Sequence, residues 1–154
     1  MVFSLPSDYR NVNKIVVLGM GGSAIGGDML RSLELSEGRI PVLVHRDYSL
    51  PQYVDGATLV IASSYSGNTE ETLSAFSQAL KTPAKKLVIT TGGRLMMLAN
   101  EGGLPVFTFD YKAEPRAAFG YSFFSLLSIL CRLGIIAVKP EDVMESIDIL
   151  NNMA

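Results

Sequence analysis

The chain has 154 residues, of which 48% are hydrophobic and 18% are charged. This length suits one domain of ordinary size, and this composition excludes extensive disorder. The net charge is −2 and the densest basic cluster is Lys85-Lys86, so a nucleic-acid-binding surface is not expected.

Cysteine content and apolar stretches bear on the compartment. Cys131 is the only cysteine, so no internal disulfide can form, which fits a reducing cytosol. The stretch 121–138 is apolar, but serines and Arg132 interrupt it, which favours a buried helix over a membrane span. We therefore expect a cytoplasmic protein that does not enter a membrane.

Short apolar runs bounded by turn residues predict strands that are buried on both faces of a sheet. The run that contains Pro105 is expected at an edge of the sheet. The predicted strands occupy 14–19, 40–44, 58–63, 86–90 and 105–109.

Apolar residues at helical spacing follow each strand. Gly134 ends the fourth predicted helix, and Pro140 opens the fifth. The predicted helices occupy 23–35, 69–80, 95–100, 116–133 and a segment that starts at 140. This alternation predicts an α/β three-layer sandwich with a five-stranded parallel sheet, formed by residues 1–154 as a single domain.

A glycine-rich loop follows the first predicted strand, and ligands of open parallel sheets bind at such carboxyl ends. Gly19, Gly21 and Ala24 fit the dinucleotide fingerprint, which keeps an NAD-dependent oxidoreductase open as an alternative. That reading requires an acidic residue about 20 positions later, and Asp47 is the candidate.

The same loop also suits a small ligand with oxygen acceptors. Gly21 and Gly22 would let the backbone approach the ligand, and Ser23 would offer a hydroxyl and a helix N-terminal N–H group. In the simpler structural interpretation, Ser23 is only the N-cap of the helix.

A hydroxyl-rich loop follows the third predicted strand and reads Ser-Tyr-Ser-Gly-Asn-Thr over 64–69. A phosphate group offers three strong acceptor oxygens, and short hydroxyl side chains at a helix start are well-matched donors. One N-cap residue would not need Ser64, Ser66 and Thr69 together, so we expect a phosphate site here.

This loop resembles that of the sugar isomerase (SIS) domains, which bind phosphosugars on a five-stranded parallel sheet. The preceding Gly-Met-Gly-Gly-Ser and the later Pro115-Arg116-Ala117-Ala118 resemble a narrower group, the bifunctional phosphoglucose/phosphomannose isomerases. Those enzymes contain two SIS domains and interconvert glucose 6-phosphate or mannose 6-phosphate with fructose 6-phosphate.

The resemblance implies roles for individual residues. Arg116 would stabilise the negatively charged intermediate. The substrate-binding residues that it implies are Ser64, Ser66 and Thr69 for the phosphate, with Gly21, Gly22 and Ser23 for the sugar.

Proton transfer needs a carboxylate and an acid–base group, often a histidine. The family takes both from its second SIS domain, within a dimer. The resemblance therefore implies that this chain is an N-terminal half that needs a second SIS domain and a homodimer partner, and that it turns over little by itself. No metal-ligand cluster is visible in the sequence, so we expect no metal dependence, and we expect no cofactor. A non-catalytic phosphosugar sensor is a further alternative, beside the less favoured NAD-dependent oxidoreductase.

Overall fold

The computed structural model describes residues 5–37, 39–110 and 118–153. A short 3-10 helix spans Ser7–Arg10. The strands are β1 (Lys14–Leu18), β2 (Val42–His45), β3 (Thr58–Ser63), β4 (Lys85–Thr90) and β5 (Val106–Thr108). The helices are α1 (Gly21–Glu37), α2 (Glu70–Ala79), α3 (Gly93–Glu101), α4 (Phe119–Arg132) and α5 (Pro140–Met153).

The sheet has five strands in the order β2-β1-β3-β4-β5, and every pair is parallel. This confirms the predicted fold class and the edge position of β5. The chain passes from β1 to β2 on one side and returns to β3 on the other side of β1. The topological switch point therefore lies between β1 and β3, where ligands of such sheets bind.

Two apolar clusters fill the space between the sheet and its helices. Side chains alternate along each strand, so Ile15 and Val17 face the layer of α1 and α4, where they join Leu126. Val16 on the opposite face joins Phe76 from α2 and others from α3. The two helical layers account for the three-layer sandwich.

Glycine in α1 allows a close contact between α1 and α4 in this layer. A Cβ at Gly26 would lie 2.6 Å from the Ser122 hydroxyl oxygen and 2.9 Å from the Phe123 backbone nitrogen on α4. Glycine inside a helix costs about 1 kcal/mol relative to alanine, and here it lets two backbones meet.

Several element boundaries differ by one to three residues from the sequence-based expectation, and two of them bear on the site or on the sheet edge. Helix α1 begins at Gly21, before Ser23, and Gly21 has a φ of +51°. Strand β2 begins after Pro41, which has no N–H group to donate but accepts a hydrogen bond from Ile15 through its carbonyl. In the part of the chain that is described, every helix is too short or too polar to cross a bilayer.

Candidate phosphosugar site

Two loops meet at the carboxyl ends of β1 and β3, which are neighbours in the sheet. At Gly19, just after β1, a Cβ would lie 3.1 Å from the carbonyl oxygen of Ser63 at the end of β3. This close backbone approach brings the glycine-rich loop and the hydroxyl-rich loop together at the carboxyl edge of the sheet, where the sequence analysis expected ligands to bind.

The hydroxyl-rich loop, residues 64–69, is closed by hydrogen bonds between its own residues. The hydroxyl oxygens of Ser64 and Thr69 lie 2.8 Å apart. The backbone N–H of Gly67 donates to the Ser64 hydroxyl at 3.1 Å and to the Ser64 carbonyl at 3.2 Å. Ser64 is buried, so its hydroxyl braces the loop from within.

The outer surface of this loop carries different groups. Ser66 is exposed, and its hydroxyl accepts a hydrogen bond of 3.2 Å from the Asn68 backbone N–H. Thr69 occupies the N-cap position of α2 but makes no capping bond with its side chain. The N–H groups of the first turn of a helix lack partners within the helix. In α2 they remain able to receive an anion.

The glycine-rich loop turns directly into α1. The backbone N–H of Ser23 donates to the Met20 carbonyl at 3.1 Å, so that N–H is engaged within the turn. The Ser23 carbonyl accepts a 3.2 Å hydrogen bond from the Ser122 hydroxyl on α4. Because α1 starts at Gly21, Ser23 lies inside the first turn and is not its N-cap. Its hydroxyl is the group that it can offer a ligand.

A small cavity lies between the two loops. Gly22 and Ser23 line one side, with Tyr65, Phe109 and Ser122 among the other lining residues. It has about 10 Å³ of room for the centre of a water molecule, which is enough for about one water. The aromatic rings of Tyr65 and Phe109 both line this cavity, and their centroids are 6.2 Å apart. This cavity is therefore too small to enclose a sugar.

A larger cavity of about 530 Å³ lies beside β5 and the start of α4. Aromatic rings dominate its lining, including Phe107, Phe119 and Phe124. It lies beside β5 at an edge of the sheet, away from the switch point between β1 and β3 where ligands of such sheets bind. We therefore assign the candidate site to the smaller cleft.

Two negative side chains directly follow the hydroxyl-rich loop, in the first turn of α2. The carboxylates of Glu71 and Glu70 raise the pKa of the exposed Tyr48 phenol, so both lie near Tyr48 in the loop that follows β2.

The end of β2 carries the chain's single histidine and the acidic candidate for a dinucleotide site. A ring nitrogen of His45 lies 2.5 Å from the Ser49 carbonyl oxygen. Hydrogen bonds from the backbone N–H groups of Ser49 and Tyr48 lower the pKa of Asp47. Both side chains are thus engaged in holding their own loop.

Arg116 lies outside the described residues, as does Pro115. Within 5–37, 39–110 and 118–153, no three His, Cys, Asp or Glu side chains are grouped as metal ligands would be.

Sequence reasoning missed Phe109 and Ser122 as lining residues. For Ser122, the feature that could have indicated its place was a small residue on the face of α4 that meets Gly26.

The fold and the loops at its switch point define a class of protein: a doubly wound α/β domain with a hydroxyl-rich loop at the carboxyl end of β3. The SIS domain family profile matches residues 8–101, and this chain belongs to the SIS domain family. The resemblance seen in the sequence motifs is thereby confirmed.

Individual relatives agree with this assignment. The bifunctional phosphoglucose/phosphomannose isomerase of Caldicellulosiruptor bescii is 50% identical over 144 residues, covering 94% of this chain and 42% of the relative. The D-glucosamine-6-phosphate 4-epimerase of Sulfolobus acidocaldarius is 34% identical over 139 residues, covering 90% and 44%.

A solved structure agrees in fold. The tagatose-6-phosphate ketose/aldose isomerase of Escherichia coli matches with a TM-score of 0.61 at 24% identity, covering 82% of this chain and 39% of that one. The chain spans less than half the length of the two curated relatives above.

Proposed function

We propose that this chain is the phosphosugar-binding, N-terminal SIS unit of a cytoplasmic isomerase that interconverts glucose 6-phosphate or mannose 6-phosphate with fructose 6-phosphate. The observation that carries the proposal is the hydroxyl-rich loop 64–69 at the switch point, which leads into α2 without a side-chain cap from Thr69. The 50% identity to the Caldicellulosiruptor bescii isomerase supports the choice of reaction.

The phosphate binds where hydroxyl groups and helix amides converge. Ser66 and Thr69 offer side-chain donors, and the first-turn N–H groups of α2 add backbone donors and a favourable dipole. Ser64 is buried and acts through its 2.8 Å hydrogen bond to Thr69, which orients the Thr69 hydroxyl. Backbone and hydroxyl donors suffice for a dianion without a cluster of lysines.

The sugar lies over the glycine-rich loop. Gly21 leaves room for the ligand, since nothing lies within 4 Å of a Cβ placed there, and Gly22 and Ser23 line the cleft. Isomerisation passes through an enediolate whose negative charge must be stabilised. In this proposal, the positive charge of Arg116 stabilises it. This role for Arg116 rests on its Pro-Arg motif.

The proton-transfer groups come from a second SIS domain and a dimer partner. Helix α5 supports such a partner surface, because no described residue of α5 is buried and its apolar residues Met144, Leu150 and Met153 are exposed. A helix with an uncovered apolar stripe gains its stability from packing on another surface. The chain alone then binds phosphosugar weakly and turns over little.

Calorimetric titration with glucose 6-phosphate and with 6-phosphogluconate tests the binding site. Ser66→Ala should weaken both affinities by about tenfold, since one hydrogen bond to a charged group is lost. Ser32→Ala is the matched control, because the Ser32 hydroxyl bonds only its own helix, at the Asp28 carbonyl. If Ser66→Ala and Ser64→Ala both bind the ligands with unchanged affinity, the assignment of the phosphate site to this loop is wrong.

Steady-state kinetics of the complete isomerase test the role of Arg116. Arg116→Met should lower kcat, because the charge is needed in the transition state more than in the ground state. A rise in KM with kcat unchanged would contradict this role. Epimerase turnover without isomerase turnover would instead favour the reaction named for the Sulfolobus acidocaldarius relative.

A further inference from the structure

The first turn of α3 receives its capping groups from the hydroxyl-rich loop. Gly92, at the N-cap position of α3, makes no side-chain capping bond, and glycine has no side chain to make one. The Arg94 N–H instead donates to the side-chain oxygen of Asn68 at 3.1 Å. The Leu95 N–H donates to the Gly67 carbonyl at 2.9 Å. These two acceptors replace the capping oxygen that an N-cap side chain normally supplies.

The Asn68 carboxamide is held at both ends. Its Nδ2 donates to the Ser66 carbonyl at 3.2 Å, while its Oδ1 accepts from Arg94. A carbonyl can only accept and an N–H can only donate, so both partners require the same amide orientation. Asn68 therefore links the backbone of Ser66 to the start of α3.

Glycines allow the loop and the start of α3 to touch through their backbones. Gly67 and Gly93 have φ values of +68° and +71°. A Cβ at Gly67 would overlap the Gly92 carbonyl, and a Cβ at Gly93 would overlap the Ser66 carbonyl. The loop cannot shift along α3 without a clash or a broken hydrogen bond.

The segment between β4 and α3 adds a second attachment. The Thr91 N–H and the Thr91 hydroxyl both donate to the Tyr65 carbonyl, at 3.1 and 2.7 Å. Thr91 and Asn68 thus hold the loop at two points, one before and one after Ser66.

We propose that Asn68 is a positioning residue, whose carboxamide ties Ser66 to the first turn of α3 and sets the phosphate-binding geometry of residues 64–69 before a ligand arrives. The proposal rests on the proposed function, since a preset geometry helps only a loop that binds. Preorganised donors bind more tightly because less ordering is needed on binding. The two helix starts then differ in role: the N–H groups of α2 face the ligand, and those of α3 hold the loop.

Asn68→Ala in this chain tests the proposal, with Asp55→Ala as the matched control. Asp55 also accepts a backbone hydrogen bond, from Ala57 at 3.0 Å, but lies at the opposite, amino-terminal edge of the sheet. Titrations with inorganic phosphate and with glucose 6-phosphate are run where circular dichroism shows each variant folded.

Asn68→Ala should weaken both ligands by the same factor, about tenfold, while Asp55→Ala changes neither by more than about twofold. Because inorganic phosphate makes no sugar contact, an equal loss of affinity for the two ligands shows that the geometry of the phosphate-binding groups has changed. Unchanged affinity for both ligands in Asn68→Ala would overturn the proposal, and so would a loss confined to glucose 6-phosphate.

Amide hydrogen exchange separates this proposal from the proposed function, because it needs no ligand. The Gly67 and Thr91 N–H groups report the loop position without bonding Asn68 themselves. Both should exchange faster in Asn68→Ala and not in Asp55→Ala. If wild type binds neither ligand, the proposed function fails, and exchange still decides on Asn68: faster exchange confined to Arg94 would overturn its role.

Asn68→Asp is the second variant in case Asn68→Ala does not fold. It keeps an acceptor for the Arg94 N–H and loses only the donor to Ser66. Its added charge would repel phosphate, so amide exchange is its readout. Faster exchange at Gly67 and Thr91 with protection retained at Arg94 supports the link, and wild-type exchange at all three contradicts it.

Discussion

The hydroxyl oxygens of Ser64 and Thr69 lie 2.8 Å apart and join the two ends of the hydroxyl-rich loop. Threonine at an N-cap position ordinarily turns its hydroxyl onto the helix amides, which contributes about 1 kcal/mol. Here the hydroxyl turns toward Ser64 and α2 is left without that cap. Helix α2 therefore lacks the stability that this cap would contribute, and its first-turn backbone N–H groups are left able to bind a phosphate.

The first prediction concerns Thr69. Thr69→Val keeps the shape of the side chain but removes the hydroxyl that bonds Ser64, so affinity for glucose 6-phosphate should fall about tenfold. Thr69→Ser keeps the hydroxyl and should stay within about threefold of wild type. Calorimetry measures both variants. Equal affinities of Val and Ser would show that the methyl group, and not the hydroxyl, matters at this position.

The second prediction compares two glycines with positive φ. Gly67→Ala adds a Cβ that overlaps the Gly92 carbonyl, whereas at Gly103 (φ +61°) nothing lies within 4 Å. The left-handed conformation alone costs an L-residue about 1–2 kcal/mol, which Gly103→Ala should show. Gly67→Ala should lower the free energy of unfolding by at least about 2 kcal/mol more, because backbone must move. Urea denaturation gives both values, and equal losses would contradict the tight contact.

The third prediction compares two helical glycines. Gly26→Ala forces α1 away from α4, since the new Cβ would lie 2.9 Å from the Phe123 nitrogen, and should cost about 1–3 kcal/mol. Gly120→Ala on α4 meets nothing within 4 Å and should stabilise by about 0.5 kcal/mol through helix propensity. Thermal unfolding should therefore move in opposite directions. A shift of the same sign in both variants would refute the assigned packing.

The fourth prediction concerns the pH dependence of stability at Tyr9. Burial raises the pKa of the Tyr9 phenol above its ordinary value of 10.0, and its hydroxyl donates to the Lys86 carbonyl at 2.8 Å. The folded chain keeps this proton to a higher pH than the unfolded chain does. The contribution is therefore complete below pH 10 and is lost as the pH rises through the folded pKa.

Tyr9→Phe removes the hydrogen bond and the titrating group together. Its free energy of unfolding should be about 1 kcal/mol below wild type at neutral pH, and the difference should shrink above the ordinary tyrosine pKa. Urea titrations at a series of pH values measure this difference. A gap that widens with alkaline pH would contradict the raised pKa.

Sequence patterns located most of the fold because buried parallel strands have a strong local signature. The apolar runs at β3 and β4 are bounded by turn residues, and the observed spans Thr58–Ser63 and Lys85–Thr90 agree closely with the predicted ones. Boundaries that depend on backbone conformation were less accurate. Helix α1 starts at Gly21, whose φ is +51°, and no periodicity in side chains reports such a backbone conformation.

The site divides in the same way. Residues 64–69 stood out because their hydroxyl groups exceed the needs of one helix cap, so the sequence by itself predicted an anion-binding loop. The sequence could not assign separate tasks to Ser64, which is buried, and Ser66, which is exposed. That difference depends on how the loop folds onto its neighbours.

Residue types and their spacing were thus enough to predict, from the sequence alone, that this chain forms a parallel α/β sheet with a hydroxyl-rich loop at its carboxyl edge. Only the tertiary structure showed that Thr69 turns toward Ser64 and that Asn68 caps α3 from 26 residues earlier in the chain. The physical reason is that hydrogen-bond partners are chosen by proximity in space. A hydroxyl or carboxamide carries the same capacity to bond wherever it stands, and the packing of β3, β4 and α3 decides which partner it meets.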